Sequence, residues 1–160
     1  MKKIAFQDYF PDEVAVCYGC GRHNHEGLHI KSYWENDEGV CRFLPKEHHI
    51  AFPKVVYGGL IASLIDCHSI CTAMAHAYRE EKREMGTQPG IYFVTAELNV
   101  SFLKPTPTEI ELVLRAHVTE TNSRKSYVHC SVFAGGVETA FADVLGVRVQ
   151  DYNNNERLKE

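Results

Sequence analysis

The stretch FPKVVYGGLIASLID, residues 52–66, places two adjacent glycines directly before an apolar run that ends in a single acid. After Gly59 the apolar residues recur at spacings of three and four, which predicts a helix from Gly59 to about Arg83. The first half of this segment is apolar on nearly all sides, as in a helix that is buried on several sides. Asp66 therefore lies in the second or third turn of a buried helix.

The segments on either side of this helix are rich in alternating, branched and aromatic residues, which favours β-strands. The predicted strands are residues 27–37, 39–45, 91–103, 110–121, 126–134 and 137–149. Hairpin turns are predicted at NDEG, residues 36–39, and at Gly135–Gly136, and a loop is predicted at residues 47–54. Because a single buried helix needs a sheet to cover it, we expect an α+β fold with five or six antiparallel strands around one long helix.

The chain of 160 residues is long enough for one domain with a sizeable core. We assign this single domain to residues 1–160, with a core at about 17–149 and an N-terminal arm before it. The polar sequence DYNNNERLKE at residues 151–160 is predicted as a frayed tail or a short surface helix.

The composition argues against several kinds of partner. The net charge is −4, and acids and bases are mixed along the chain, so there is no basic footprint for nucleic acid or for a membrane surface. The N-terminal residues contain no signal-peptide core, and the longest apolar run, near residues 60–65, is too short to span a bilayer. We therefore expect a cytoplasmic protein whose six cysteines are reduced thiols.

The start of the helix and the acid within it are the candidate reaction groups. A helix N-terminus offers unpaired N–H groups and a partial positive charge, which suit a carbonyl that becomes an oxyanion. The alternative is that Gly58 and Gly59 only turn the chain into the helix. For Asp66 the alternatives are a catalytic carboxylate and a structural one that is paired with His68, Arg79 or a backbone group.

Spacing limits how these groups can cooperate. Gly59 and Asp66 are seven residues apart, so they lie on nearly the same helix face but about 10 Å apart along the axis. One helix cannot easily bring both to one reacting carbon. Two antiparallel helices of a symmetric dimer can do so, with Gly59 of one chain facing Asp66 of the other.

Three stretches together resemble the hotdog-fold acyl-CoA thioesterases, particularly the branch with PaaI-like and THEM4-like enzymes. They are CYGCGRHNHEGLHI at 17–30, FPKVVYGGLIASLID at 52–66 and VTAELNVSFLKPTP at 94–107. The resemblance covers most of residues 17–149. It implies a curved antiparallel sheet wrapped around one long helix, a homodimer or a dimer of dimers, and active sites at the subunit interface.

The resemblance also implies roles for individual residues. The amide of Gly59 offers the oxyanion N–H to the thioester carbonyl, and Asp66 is a general base on water or a nucleophile. Thr95 helps to hold the water; the alternative is an ordinary strand threonine. The resemblance implies an acyl-CoA substrate. No separate cofactor is expected, since CoA is part of the substrate.

This chain departs from the family at one position, because Tyr57 stands before Gly58 and Gly59 where a histidine is usual. A tyrosine hydroxyl can still donate a hydrogen bond, but its reach differs. The departure motivates an alternative function, an acyl-CoA binding or sensing module with little catalysis. A dehydratase is disfavoured because such hotdog enzymes rely on the missing histidine, although His49 is a candidate for supplying an imidazole.

Binding of CoA usually requires basic groups near its phosphates. Arg124 and Lys125 lie in a predicted turn where hotdog enzymes often carry such residues, and Lys104 is a further candidate. The alternative for each is a solvated surface charge. The acyl group is not specified by the sequence.

A zinc site is the competing interpretation of the N-terminal motif. Cys17 and Cys20 are followed closely by His23 and His25, which makes four ligands of the kind that zinc prefers. A closed zinc site, however, usually receives a second ligand pair from elsewhere in the chain. We therefore expect no metal, and we interpret Cys67 and Cys71 as small core residues.

Overall fold

A computed structural model of the protein describes residues 3–150 and contains one long helix and eight strands in that range. The predicted tail at 151–160 lies outside the described residues. Two short 3-10 turns come first, at Phe6–Tyr9 and Asp12–Val14. The other elements are β1 (Ser32–Glu35), β2 (Glu38–Phe43), β3 (Ile50–Phe52), β4 (Val55–Val56), α1 (Gly58–Glu80), β5 (Tyr92–Phe102), β6 (Leu112–Thr121), β7 (Lys125–Ala134) and β8 (Val137–Val149).

Six of the strands form one antiparallel sheet in the order β1-β2-β6-β7-β8-β5. The curved sheet covers α1, so the predicted hotdog architecture is confirmed. Both predicted hairpins are present, and the two central residues of each have a positive φ: 48° and 67° at Asn36 and Asp37, and 56° and 78° at Gly135 and Gly136. This conformation matches the twist of the flanking strands, which is why Asn, Asp and Gly occupy these positions.

The hydrophobic core lies between α1 and the sheet. Leu64 and Ile65 of α1 are fully buried, as are Leu112 and Leu114 of β6. Burying a side chain of this size stabilises the fold by about 1.5–3 kcal/mol. Although α1 is long and apolar enough to cross a bilayer, 67% of its apolar window is buried inside the fold, as expected of a core helix.

Residues 3–25, called the arm from here on, belong to this core rather than lying outside it. Phe6 is 3% exposed, and its ring centroid lies 5.1 Å from that of Trp34 on β1. The predicted first strand is shorter than expected, because β1 begins only at Ser32. In place of a strand, the amides of Leu28 and Ile30 donate to carbonyls of the arm at 2.8 and 2.9 Å.

The predicted loop at residues 47–54 contains β3, which pairs with β4 directly after the loop to form a small hairpin. These strands have three and two residues, too few for the alternating pattern to be recognised in the sequence. The hairpin leads directly into α1, which begins at Gly58 and ends at Glu80 rather than near Arg83. The prediction was therefore correct in the type of the main elements and wrong by a few residues at their ends.

A buried hydrogen-bond network joins the arm, the first hairpin and α1. The Nε2–H of His68 donates to the carbonyl of Gly39 at 3.1 Å, and the hydroxyl of Ser32 donates to Nδ1 at 2.8 Å. The side chain of Gln7 completes the network by donating to Ser32 Oγ at 2.9 Å and accepting from the Ser32 amide at 2.8 Å. Burial lowers the pKa of His68 to about 4, against a smaller opposing effect of the bond to Gly39.

This network predicts a loss of stability in mild acid. Because the pKa of His68 is lower in the folded protein than its unfolded value of about 6.5, the unfolded state binds the proton more tightly. The contribution is complete above about pH 6.5, and about 3 kcal/mol of the unfolding free energy is lost as the pH falls to about 4. Urea unfolding of the wild-type protein and of His68→Gln across this pH range measures the loss of unfolding free energy. The difference between the two dependences of unfolding free energy on pH isolates the contribution of His68. Parallel pH profiles would contradict the assignment.

Candidate active site

Asp66 and Thr95 meet at the surface of α1. The Thr95 hydroxyl donates to Asp66 Oδ1 at 2.5 Å, which links α1 to β5. A β-bulge follows Thr95 on β5, between Thr95 and Glu97. Bulges of this kind redirect side chains and occur near functional sites.

Neither alternative side-chain partner of Asp66 contacts it. His68 is held in the core by Ser32 and Gly39, as described above. Arg79 instead lies over the Trp34 ring, 3.6 Å from its centroid, and pairs with Asp37 at 3.2 Å. The half-buried carboxylate of Asp66 is thus directed at the surface where β5 ends the sheet.

A cavity of about 220 Å³ opens beside Asp66 and Thr95. Its walls are mostly apolar and come from the arm, α1 and the beginning of β5. They include Phe10, Val14, Ile70, Met74 and Phe93, together with the cysteines of the arm and of α1. An apolar cavity with a carboxylate and a hydroxyl at its wall has the character of a small-molecule site.

The helix start carries the second group of predicted residues. Leu60 and Ile61 donate their amides to the Tyr57 carbonyl at 3.0 and 3.3 Å, whereas the amides of Gly58 and Gly59 have no acceptor within residues 3–150. These two N–H groups are available to an oxygen on a ligand, at the positive end of the helix.

Tyr57 lies directly over Gly59. A Cβ atom added to Gly59 would approach the Tyr57 ring to 2.3 Å, so glycine is required while the ring keeps this position. The Tyr57 side chain is otherwise exposed, and its amide donates to the His49 carbonyl at 2.9 Å. The tyrosine that replaces the usual histidine therefore packs on the Cα side of Gly59, the residue whose amide we predicted to bind the oxyanion.

His49 contributes its backbone rather than its ring to the helix start. Its Nδ1 accepts a hydrogen bond from the Lys46 amide at 3.0 Å, and its ring contacts those of Phe43 and His48. Burial lowers the pKa of His49, and the nearby charges of His48 and Lys46 lower it further. The ring is therefore a neutral group whose one nitrogen is already occupied.

The predicted basic residues fall at opposite ends of the sheet. Lys104 follows β5 at the end where Phe102 approaches Gly58; a Cβ at Gly58 would lie 3.3 Å from the Phe102 ring. Arg124 lies in the turn at the other end, and Lys125 begins β7 directly after it; the Arg124 carbonyl accepts from the amide of a β8 residue at 2.7 Å.

The separation between the two ends follows from β8, which pairs with both β5 and β7. Phe102 pairs with Ala140, and Lys125 pairs with Val147 seven residues further along the same strand. At about 3.3 Å per residue, the two ends are about 23 Å apart. A single chain thus brings Thr95 to Asp66, and Tyr57 to Gly59, but it does not bring the three basic residues together.

Four cysteines gather at one wall of the cavity, a set that the sequence did not connect. The Sγ atoms of Cys17 and Cys67 are 3.8 Å apart, and with Cys20 they form a group within 4.8 Å of one another. The thiols of Cys17, Cys67 and Cys71 lower the pKa of Cys20 by hydrogen bonding to it.

The zinc ligands considered from the sequence do not assemble. His23 is directed to Asp12, with its Nε2 2.9 Å from the carboxylate, rather than to the cysteines. The neighbours of Cys17 and Cys20 are instead Cys67 and Cys71. Their four-residue spacing places both thiols on one helix face, and this is the sequence signal that could have identified them.

Comparison with known proteins agrees with this architecture. Residues 53–141, more than half of the chain, match the thioesterase superfamily. The chain is also 23% identical over 126 residues to the bovine (Bos taurus) acyl-coenzyme A thioesterase THEM4. That match covers 78% of this chain but only 46% of the relative, so the chain spans about half the length of the curated relative that it matches.

Solved structures extend the comparison. A thioesterase superfamily protein from Shewanella loihica is 38% identical, with a TM-score of 0.66 over 88% of this chain and 99% of that chain. The PaaI protein of the Escherichia coli phenylacetic acid degradation operon is 14% identical, with a TM-score of 0.63 over 76% and 80% of the two chains, and shares the fold. Taken with the hotdog architecture, these matches place this chain in the thioesterase superfamily.

Proposed function

We propose that the protein is a thioesterase that hydrolyses acyl-CoA or related thioesters to a free acid and CoA. The observation that carries this proposal is the Thr95–Asp66 hydrogen bond at the wall of an apolar cavity. The cavity suits the acyl group, and the polar pair lies where a thioester carbonyl at its mouth would be attacked. Its proposed location is the cytoplasm, which supplies CoA thioesters.

The proposed reaction uses the two groups of α1 in different ways. The Gly59 amide donates to the carbonyl oxygen as negative charge develops on it. Asp66 takes a proton from water, whose oxygen bonds to the carbonyl carbon; the C–S bond then breaks and the CoA thiolate receives the proton. Thr95 occupies Oδ1 of Asp66, which leaves Oδ2 for the water. Direct attack by Asp66 is the alternative first step.

A complete site of this kind requires two copies of the chain. Gly59 and Asp66 of one helix remain about 10 Å apart, so the oxyanion donor and the base would come from different protomers. The edge strand β5 is the proposed contact. It is 11 residues long, and Val94 and Phe102 on it are 41% and 55% exposed. A long apolar edge of this type is stable in solution when another strand covers it.

The proposed homodimer, alone or as half of a dimer of dimers, also gives the basic residues a role. Two antiparallel protomers would bring the Lys104 end of one chain toward the Arg124 and Lys125 end of the other. The CoA phosphates would then bind between positive charges from both chains. No further cofactor is proposed for the reaction.

The second candidate function is a module that binds acyl-CoA with little catalysis. Tyr57 favours it, because this exposed ring packs against Gly59 at the position where the family usually has a histidine. A panel of acyl-CoAs of varied chain length and aryl character separates the two functions. Turnover of any member supports the enzyme, whereas tight binding with no turnover across the panel supports the binding module.

Asp66→Asn is expected to keep the fold and the dimer while lowering kcat by about 100-fold or more, because an amide cannot accept the proton. The measurement is steady-state release of CoA thiol from the best acyl-CoA of the panel. Asp37→Asn is the matched control, since Asp37 is an almost fully exposed carboxylate in a distant turn. An unchanged rate in Asp66→Asn would remove Asp66 from the mechanism.

Thr95→Val removes the hydroxyl at nearly constant volume and is expected to lower kcat by about 10-fold, since Asp66 loses the bond that orients it. Thr95→Ser keeps the hydroxyl and is expected to retain most of the activity. Equal losses in the two variants would indicate that the methyl group matters instead.

Mixing two inactive variants tests whether the site is shared. Gly59→Pro removes the amide donor, and Gly59→Ala is its control, since it adds a Cβ against the same Tyr57 ring but keeps the N–H. After subunit exchange with Asp66→Asn, each heterodimer has one intact site if Gly59 and Asp66 come from different chains. Random exchange then restores about a quarter of the wild-type activity. No recovery, with exchange verified by native mass spectrometry, would place both groups in one chain.

A further inference from the structure

Four cysteines from two distant parts of the sequence meet where the N-terminal arm packs on α1. Cys17 and Cys20 come from a tight loop of the arm, and Cys67 and Cys71 come from successive turns of α1. The sulfurs of Cys17, Cys20 and Cys67 all lie within 4.8 Å of one another, and Cys71 lies one helix turn beyond Cys67 on the same cavity wall. Among residues 3–150, the first three form the one group of metal-ligating side chains that is this compact.

We propose that these four cysteines bind a single zinc ion as a closed site with four thiolate ligands. In tetrahedral coordination with Zn–S bonds of about 2.3 Å, neighbouring sulfurs are about 3.8 Å apart. The Cys17–Cys67 separation is 3.8 Å before any ion is added. Zinc prefers thiolate ligands in this arrangement, and a CxxC loop joined to a second pair from elsewhere is its usual ligand pattern.

The backbone of the arm is shaped for this contact. A Cβ on Gly19 would lie 2.3 Å from Cys67 Sγ, so only glycine lets the loop approach the helix this closely. A Cβ on Gly21 would lie 2.4 Å from the Cys17 amide nitrogen, and the Gly21 amide donates to the Cys17 carbonyl at 2.8 Å. Both glycines of the CYGCG sequence are thus needed to place the two cysteines on the same side of the loop.

The second ligand pair is fixed by helix geometry. Cys67 and Cys71 are four residues apart, so their side chains project from the same face of α1. Cys71 is 2% exposed, and Cys67 is half-buried at the cavity wall. Four thiolates leave no open position on the ion, so the site would be structural rather than catalytic. Binding would displace the protons of those thiols that are still protonated.

A disulfide is the competing use of these thiols. A disulfide requires its sulfurs to lie about 2.05 Å apart, and the Cys17–Cys67 distance is nearly twice that value. A bridge would also join two of the sulfurs and leave the others unpaired. Three sulfurs within 4.8 Å of one another suit a central ion better than a pairwise bond.

The site has a consequence for the cavity, because Cys67 is the residue next to Asp66 on α1. A zinc ion would tie the arm, which carries Phe10 and Val14 of the cavity wall, to the helix that carries the carboxylate. The metal would therefore hold one wall of the cavity in place without contacting the substrate. Its presence does not depend on the protein being a thioesterase.

Metal analysis of the full chain tests the proposal. The protein is expressed without a histidine tag in zinc-containing medium, purified without chelator and analysed by inductively coupled plasma mass spectrometry. About one zinc per chain is expected. The double variant Cys67→Ala/Cys71→Ala is expected to lose the zinc, and His23→Ala/His25→Ala is expected to keep it. Cys41→Ala, a fully buried cysteine elsewhere in the core, is the matched control and also keeps it.

Replacement of zinc by Co²⁺ counts the thiolates. The cobalt protein is expected to have the sulfur-to-metal charge-transfer and tetrahedral ligand-field absorptions of four thiolates. Cys17→Ser keeps the test decisive if the helix variant fails to fold, because Cys17 is exposed; it is expected to weaken Co²⁺ binding and shift the spectrum. Metal-free wild-type protein that binds no Co²⁺ under reducing conditions would overturn the proposal. An intact mass showing a Cys17 disulfide in freshly isolated protein would also overturn it. So would zinc that is retained by both Cys67→Ala/Cys71→Ala and Cys17→Ser.

Discussion

The structure depends on the burial of α1 by one antiparallel sheet. The helix is apolar around most of its circumference, and its fully buried residues pack against the inward side chains of the central strands. No other helix of comparable length within residues 3–150 could cover it, so the sheet must curve and the N-terminal arm must close the remaining side. The positions of the carboxylate, the free amides and the cysteines all follow from this packing.

The buried helix presents different functional groups at its N-terminus and on the different sides of its middle turns. Its N-terminus emerges beside the β3–β4 hairpin, and its first two amides have no acceptor among residues 3–150. Its middle turns direct Asp66 to the edge strand β5 and Cys67 to the arm, although the two residues are adjacent in the chain. On a helix, neighbouring residues point about 100° apart, so adjacent positions reach different partners. The proposed reaction site and the proposed zinc site therefore share one helix turn without sharing ligands.

The main elements could be predicted because their signals are local. The three-and-four spacing after Gly59 identified the helix, and alternation or a branched and aromatic composition between turns identified the strands of the large sheet. The short strands β3 and β4 were missed, since two or three residues carry no readable period. Residues 27–31 alternate like a strand but are held by the arm through backbone bonds, so tertiary contacts overrode the local pattern.

The sequence by itself determined the helix, the order and type of the main strands, and the seven-residue spacing of Gly59 and Asp66, because each depends on residues that are close in the chain. Only the tertiary structure decided which side chains meet. Thr95 reaches Asp66 across 29 residues of sequence, and Cys17 reaches Cys67 across 50. Partners this distant are set by how the strands and the arm pack on the helix, and no local period encodes that packing. The same packing placed the Tyr57 ring over Gly59 and directed His23 away from the cysteines.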